Sequence, residues 1–129
     1  MYDSVPTTLA LSLLAYPVVT LEPPYQRTGT RRMLIGDHPT EQASIDWSMQ
    51  TYVKPGDPPF FLVQAVDDRI ASAENTAILE KACKNNDVDV VRYLFRDGGH
   101  GFGMGRPGTQ TTIWPELARE WMRQRHFIS

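Results

Sequence analysis

Cysteine is almost absent: Cys83 stands alone in 129 residues. One thiol cannot close an internal disulfide and cannot build the thiolate cage of a structural metal site. A basic run is missing too. Thirteen Lys and Arg face fifteen Asp and Glu, for a formal net charge of −2, and no cationic stripe offers a footprint for nucleic acid. The isolated Arg31-Arg32 pair reads as a solvated patch. The apolar run from Leu9 to Val19 is well short of the about 20 residues a bilayer-spanning helix needs. No Lys or Arg precedes Arg27, so the cationic start of a secretory leader is lacking. The expectation is a mature soluble protein without a membrane partner, the cytoplasm slightly favoured.

What is present suits a single domain over residues 1–129, with 41% hydrophobic content for a core. Leu9 to Thr20 (LALSLLAYPVVT) is apolar almost throughout, as expected of a strand inside a helix-covered parallel sheet, with Pro17 near its end. Residues 22–59 are polar and rich in Pro and Gly, with short helical possibilities around Arg31 to Ile35 and Pro39 to Thr51. A connection this long is usually a lid or pocket wall, and it is read as an excursion above the sheet. Phe60 to Val66 (FFLVQAV) is a second buried strand. A helix capped by Ser72 follows, with Ala77, Ile78, Ala82 and Cys83 on its apolar face. Val88 to Phe95 is a third strand, and a glycine-rich loop, Gly98 to Gly108, leads to a last helix. Thr111 or Thr112 is its expected cap, Pro115 lies in its first turn, and Trp114, Leu117, Ala118, Trp121 and Met122 form its stripe. This alternation predicts an α/β fold with parallel strands.

In open parallel sheets functional residues collect just past the C-terminal strand ends. Asp67-Asp68-Arg69-Ile70 follows the second strand and Asp97-Gly98-Gly99-His100-Gly101 follows the third. Glycines on both sides of His100 let the backbone turn tightly and leave the imidazole projecting. A carboxylate at the neighbouring strand end can accept from one ring nitrogen and fix the tautomer, freeing the other nitrogen to act as a base. Asp67 and Asp68 compete for that role. The other histidines, His38 and His126, stand at no metal-ligand spacing. Gly103, Gly105 and Gly108 match G-x-G-x-x-G, but no second strand follows to make a dinucleotide site. Core packing is the better account of Trp114, Trp121 and Cys83, while Trp47 could line a pocket.

The segment PPFFLVQAVDDRIASAENT, Pro58 to Thr76, resembles the acid-bearing segment of acetyl-xylan-esterase-like and feruloyl-esterase-like α/β-hydrolases. RDGGHGFGMG, Arg96 to Gly105, is similar to their catalytic-histidine loop, and Thr112 to Arg125 to their C-terminal helix. Leu14 to Pro39 resembles their strand-and-excursion segment. The resemblance implies that Asp68 is the acid, His100 the base, and the sheet the last three strands of a partial, three-layer α/β-hydrolase fold. It implies no cofactor and a small ester substrate. The match departs where the family usually has valine-proline after the acid, since Ala71-Ser72 stands there.

The family's nucleophile sits in G-x-S-x-G, before the acid and histidine in chain order. No such motif occurs here. The resemblance therefore implies that nucleophile, oxyanion hole and N-terminal strands are missing from this stretch. Of the serines present, Ser12 falls in a strand, Ser72 at a cap, and Ser44 and Ser48 in the excursion, with Ser4 and Ser129 near the ends. An oxyanion hole typically contributes ~10²–10³ in rate, so the chain alone is expected to be a poor esterase. Two readings remain. One is half of a serine esterase completed by a partner chain or missing segment. The other is a non-catalytic domain acting by homo- or hetero-association, because an unpaired apolar sheet edge tends to pair with another chain.

Overall fold

The computed structural model describes residues 8–129. Three strands, β1 (Ser12–Ala15), β2 (Phe60–Ala65) and β3 (Val90–Phe95), form a parallel sheet in the order β1-β2-β3. Ser12 to Ala15 pair in register with Phe60 to Val63, and Phe60 to Ala65 with Val90 to Phe95. The central strand is covered on both faces, which is why FFLVQAV is apolar without alternation. Phe61, Val63 and Ala65 point into one core with Phe95, Phe102, Ala118 and Trp121, beneath helix α4 (Trp114–Gln124). Leu62 points into the other with Val19, Leu79, Cys83 and Val88, beneath helix α3 (Glu74–Asn85). The result is the expected three-layer arrangement, a short parallel sheet flanked by helices.

The excursion folds into two short helices, α1 (Gly29–Ile35) and α2 (Glu41–Asp46), and a 3₁₀ turn, Met49–Tyr52. Thr28 and Thr40 cap the two helices, their side-chain oxygens accepting from the Arg31 and Ala43 amides.

Several expected boundaries shift, each for a local reason. The first strand stops at Ala15, short of its expected end at Pro17. Tyr16 adopts a left-handed φ of 43°, at a cost of roughly 1–2 kcal/mol for a non-glycine residue, and Pro17 follows. The next stretch stays buried without pairing: Val19 and Thr20 donate their amides to the Asn75 side-chain oxygen and Leu21 donates to Ser48 Oγ. Burial made it apolar, and side-chain acceptors replaced the ladder. The third strand begins at Val90, because Val88 instead donates to the Cys83 carbonyl at the end of α3.

The buried stripe of α3 is Asn75, Thr76, Leu79 and Cys83, while Ala77, Ile78 and Ala82 are only half-buried. Two polar residues can take the inner face because each finds hydrogen-bond partners there. The N-cap position of α3 falls on Ala73, not on Ser72 as expected, and carries no side-chain cap; the Ser72 hydroxyl accepts from the Glu74 amide at 3.3 Å one residue earlier. At α4 the cap moves upstream: Thr109 opens a 3₁₀ turn, Gln110–Ile113, that runs into the helix, and Thr111 is buried beneath it. Burial pushes the Cys83 thiol up to about 11, which makes it a packing residue and not a nucleophile.

Candidate functional site

The acid turn starts one residue past β2. Asp68 is buried, and each carboxylate oxygen is engaged. Oδ1 accepts from the Ile70 and Ala71 amides at 2.9 and 2.8 Å. Oδ2 lies 2.9 Å from His100 Nδ1. An ionised carboxylate can only accept, so the Nδ1 proton points at Asp68. Among the described residues the other ring nitrogen, Nε2, has no hydrogen-bond partner, and the imidazole is about a third exposed (32%). A base needs this arrangement: one nitrogen oriented, the other open.

The competition between the two aspartates ends with both employed. Asp67 is exposed, and its carboxylate accepts from the Gly99 amide at 2.7 Å, tying the histidine loop to the end of β2. That amide holds the Asp67 carboxyl below the ordinary carboxylate range; desolvation opposes it, and the Gly98 amide and Arg106 act in the same direction as Gly99. Gly99 and Gly101 on either side of His100 are both left-handed, at φ 67° and 70°, as the flanking-glycine argument expected. Gly98 is needed for space as well, since a Cβ there would lie 2.4 Å from Thr111 Cγ2.

A buried polar network supports the acid turn. Gln64, fully buried near the C-terminal end of β2, donates to the Ala71 and Ser72 carbonyls and accepts from Thr76 Oγ1. Arg92 of β3 donates to the same hydroxyl and to the Ala73 carbonyl. Asn75 donates to the Ser72 carbonyl. The turn where Ala71-Ser72 replaces valine-proline is thus held by hydrogen bonds to both its amides and its carbonyls. Sequence reasoning passed over these residues. The available signal was a lone glutamine inside a strand otherwise apolar.

It also passed over Tyr16. Its ring meets His100 edge-on at 5.1 Å between centroids, and Phe102 at 4.8 Å. Of the serines, Ser72 lies in the acid turn, its hydroxyl accepting from the Glu74 amide, while Ser44 and Ser48 are engaged elsewhere. Ser48 Oγ donates to the Ser44 carbonyl and Ser44 Oγ accepts from Arg31, both inside the excursion. Ser12 sits in β1, and Ser4 lies outside the described residues. The excursion does meet the acid turn: a cavity of about 230 Å³ is lined by Tyr25, Arg27 and Thr28 together with Arg69, Ile70 and Ser72. Trp47, by contrast, is exposed. Among the described residues no group of three or more His, Cys, Asp or Glu could hold a metal ion. No described helix is long and apolar enough to cross a membrane.

No family model matches the chain. In sequence it is 30% identical over 89 residues to endo-1,4-beta-xylanase B of Butyrivibrio fibrisolvens, covering 69% of this chain and 14% of that enzyme. In structure it superposes on the acetyl ester-xyloside bifunctional hydrolase of Caldicellulosiruptor lactoaceticus with a TM-score of 0.87 and 27% identity, over 93% of this chain and 44% of that one. The carboxylesterase Cest-2923 of Lactobacillus plantarum gives a TM-score of 0.78 and 25% identity, over 98% of this chain and 48% of that one. The chain has an α/β-hydrolase fold and is a partial esterase-like domain, similar to acetyl ester hydrolase and carboxylesterase structures over part of their length. It spans less than half the length of those solved structures.

Proposed function

We propose that this chain supplies the base and its orienting acid to a serine ester hydrolase whose nucleophile comes from outside these 129 residues. The observation that carries the proposal is the Asp68–His100 hydrogen bond, with Nε2 left open among the described residues. In the reaction Nε2 takes the proton of the serine hydroxyl as its oxygen attacks the ester carbonyl. Asp68 stabilises the imidazolium so formed. The imidazolium then protonates the departing alkoxide, leaving an acyl-serine. Water, deprotonated by the same Nε2, attacks that acyl group, releases the acid and returns the proton to serine. No cofactor takes part.

The names of the similar proteins, an acetyl ester-xyloside hydrolase and a xylanase, support acetyl or other short acyl esters on a carbohydrate as the substrate class. A second reading is supported by the sheet edge. β1 has β2 as its one strand partner among the described residues, and Leu9 and Leu13 beside that edge are exposed, at 64% and 38%. Such an edge suits another chain or segment, in a homodimer or in a complex that completes the sheet.

Hydrolysis of an activated acetyl ester separates these readings, run with the chain alone, with the polypeptide encoded directly upstream, and against a free-imidazole blank. The chain alone should match the blank. A G-x-S-x-G-bearing partner should restore turnover, and His100→Ala should remove it by several orders of magnitude. A stable homodimer that no partner activates would overturn the catalytic reading in favour of association.

A further inference from the structure

The reaction above leaves Tyr16 without a task, although its ring lies against the base. The Tyr16 amide still donates to the Val63 carbonyl at 2.8 Å, so the residue is pinned to the last rung beside the central strand. Its left-handed backbone is uncommon for a bulky side chain and marks a position the surrounding structure enforces. The ring stands edge-on to His100 with an interplanar angle of 65° and edge-on to Phe102 at 80°. Phe102 belongs to the core under α4, so the tyrosine is braced from behind.

The imidazole needs such a brace. It hangs from a loop residue between two left-handed glycines. Its one hydrogen bond among the described residues, to Asp68, fixes a single ring atom and leaves the ring free to swing about that contact. A second contact on another side of the ring removes that freedom, and edge-to-face aromatic geometry supplies it with orientation as well as bulk.

We infer that Tyr16 is a positioning residue for His100, an aromatic wall that keeps Nδ1 on Asp68 while Nε2 stays open. This rests on the reading of Asp68–His100 as a working pair. Proton NMR of the chain tests both, through the low-field Nδ1–H resonance that a histidine bonded to a carboxylate shows. Asp68→Asn should abolish that resonance. Its persistence, or its absence from the parent protein, would overturn the pair itself.

With the pair intact, Tyr16→Phe should retain the resonance. Tyr16→Ala should speed its exchange with water by up to about tenfold, the scale of one lost aromatic contact, with the amide spectrum otherwise preserved. Tyr16→Leu keeps apolar volume against Phe102 and serves if the alanine variant does not fold; it too should exchange faster than Tyr16→Phe. Parent-like exchange in a folded Tyr16→Leu or Tyr16→Ala protein would overturn the role of Tyr16 while leaving the Asp68–His100 pair standing.

Discussion

The two faces of the sheet hold the site by different means. Under α4 the core is apolar and partly aromatic: the side chains of Phe61, Val63, Ala65, Phe95, Phe102 and Trp121 pack together, and the buried Trp121 Nε1 has no hydrogen-bond partner among the described residues. Under α3 the lower part is equally apolar, with Leu62, Leu79 and Cys83. Toward the C-terminal strand ends, however, that face turns polar through Gln64, Thr76, Arg92 and Asn75. The acid turn sits on the polar side, and the aromatic side leads to His100 through Phe102 and Tyr16. Hydrogen bonds are directional and fix where a carboxylate points. Packing fixes volume and tolerates small rotations. The comparison assigns rigid aim to Asp68 and a sterically limited swing to His100.

Substitutions on the two faces should separate these roles. Phe61→Ala, from the centre of the aromatic face, should cost about 3–5 kcal/mol, read as a lower urea midpoint. Gln64→Ala should cost about 1–3 kcal/mol, because the Ala71 and Ser72 carbonyls and the Thr76 hydroxyl lose a buried partner. Amide exchange at Ile70 and Ala71 should accelerate in that variant more than at Gly99. Equal acceleration at both would break the distinction between the faces.

The outer rim should matter less. Arg125 makes a two-pronged ion pair with Asp89, at 2.6 and 3.0 Å, and lies over the Trp121 ring. Arg125→Ala should cost no more than about 1 kcal/mol, since the pair is partly exposed. Its hydrogen bonds hold the Asp89 carboxyl below the ordinary range. A carboxyl lowered in the folded state stabilises fully above its unfolded value near 4, and that contribution is lost as pH falls through the folded value. The parent should therefore lose part of its advantage over Arg125→Ala in denaturation curves taken below about pH 4.

The smallest effect belongs to Asp67, which is lowered in the same sense by the Gly99 amide. Asp67→Asn should leave global stability nearly unchanged, yet abolish the acid-side titration of the Gly99 amide shift expected of the parent below about pH 4. A Gly99 shift that titrates alike in both proteins would mean that Asp67 does not tether the histidine loop.

Much of this was legible in advance because the signals are local or periodic. FFLVQAV reads as a doubly covered strand, TIWPELAREWM as a helix stripe, and GGHG as a backbone that only glycine relaxes. The run Leu9 to Thr20 misled because apolar composition reports burial, and a buried segment whose amides find side-chain acceptors need not be a strand. Asn75 and Tyr16 were illegible for a related reason: each acts on residues distant in sequence, at separations no periodicity records. Gln64 showed only its polarity inside an otherwise apolar strand.

From its order of residues alone, this chain determines an α/β layer pattern and the placing of a carboxylate and an imidazole at neighbouring strand ends, because strand direction and side-chain alternation are short-range properties of the backbone. The family resemblance already favoured Asp68 as the acid; only the tertiary structure decided that its carboxylate meets the imidazole at 2.9 Å, that Asp67 instead ties the loop, and that Tyr16 stands against the ring. Those choices turn on ångström-scale distances between segments brought together by the fold, and on which of two adjacent side chains the turn after β2 sends inward.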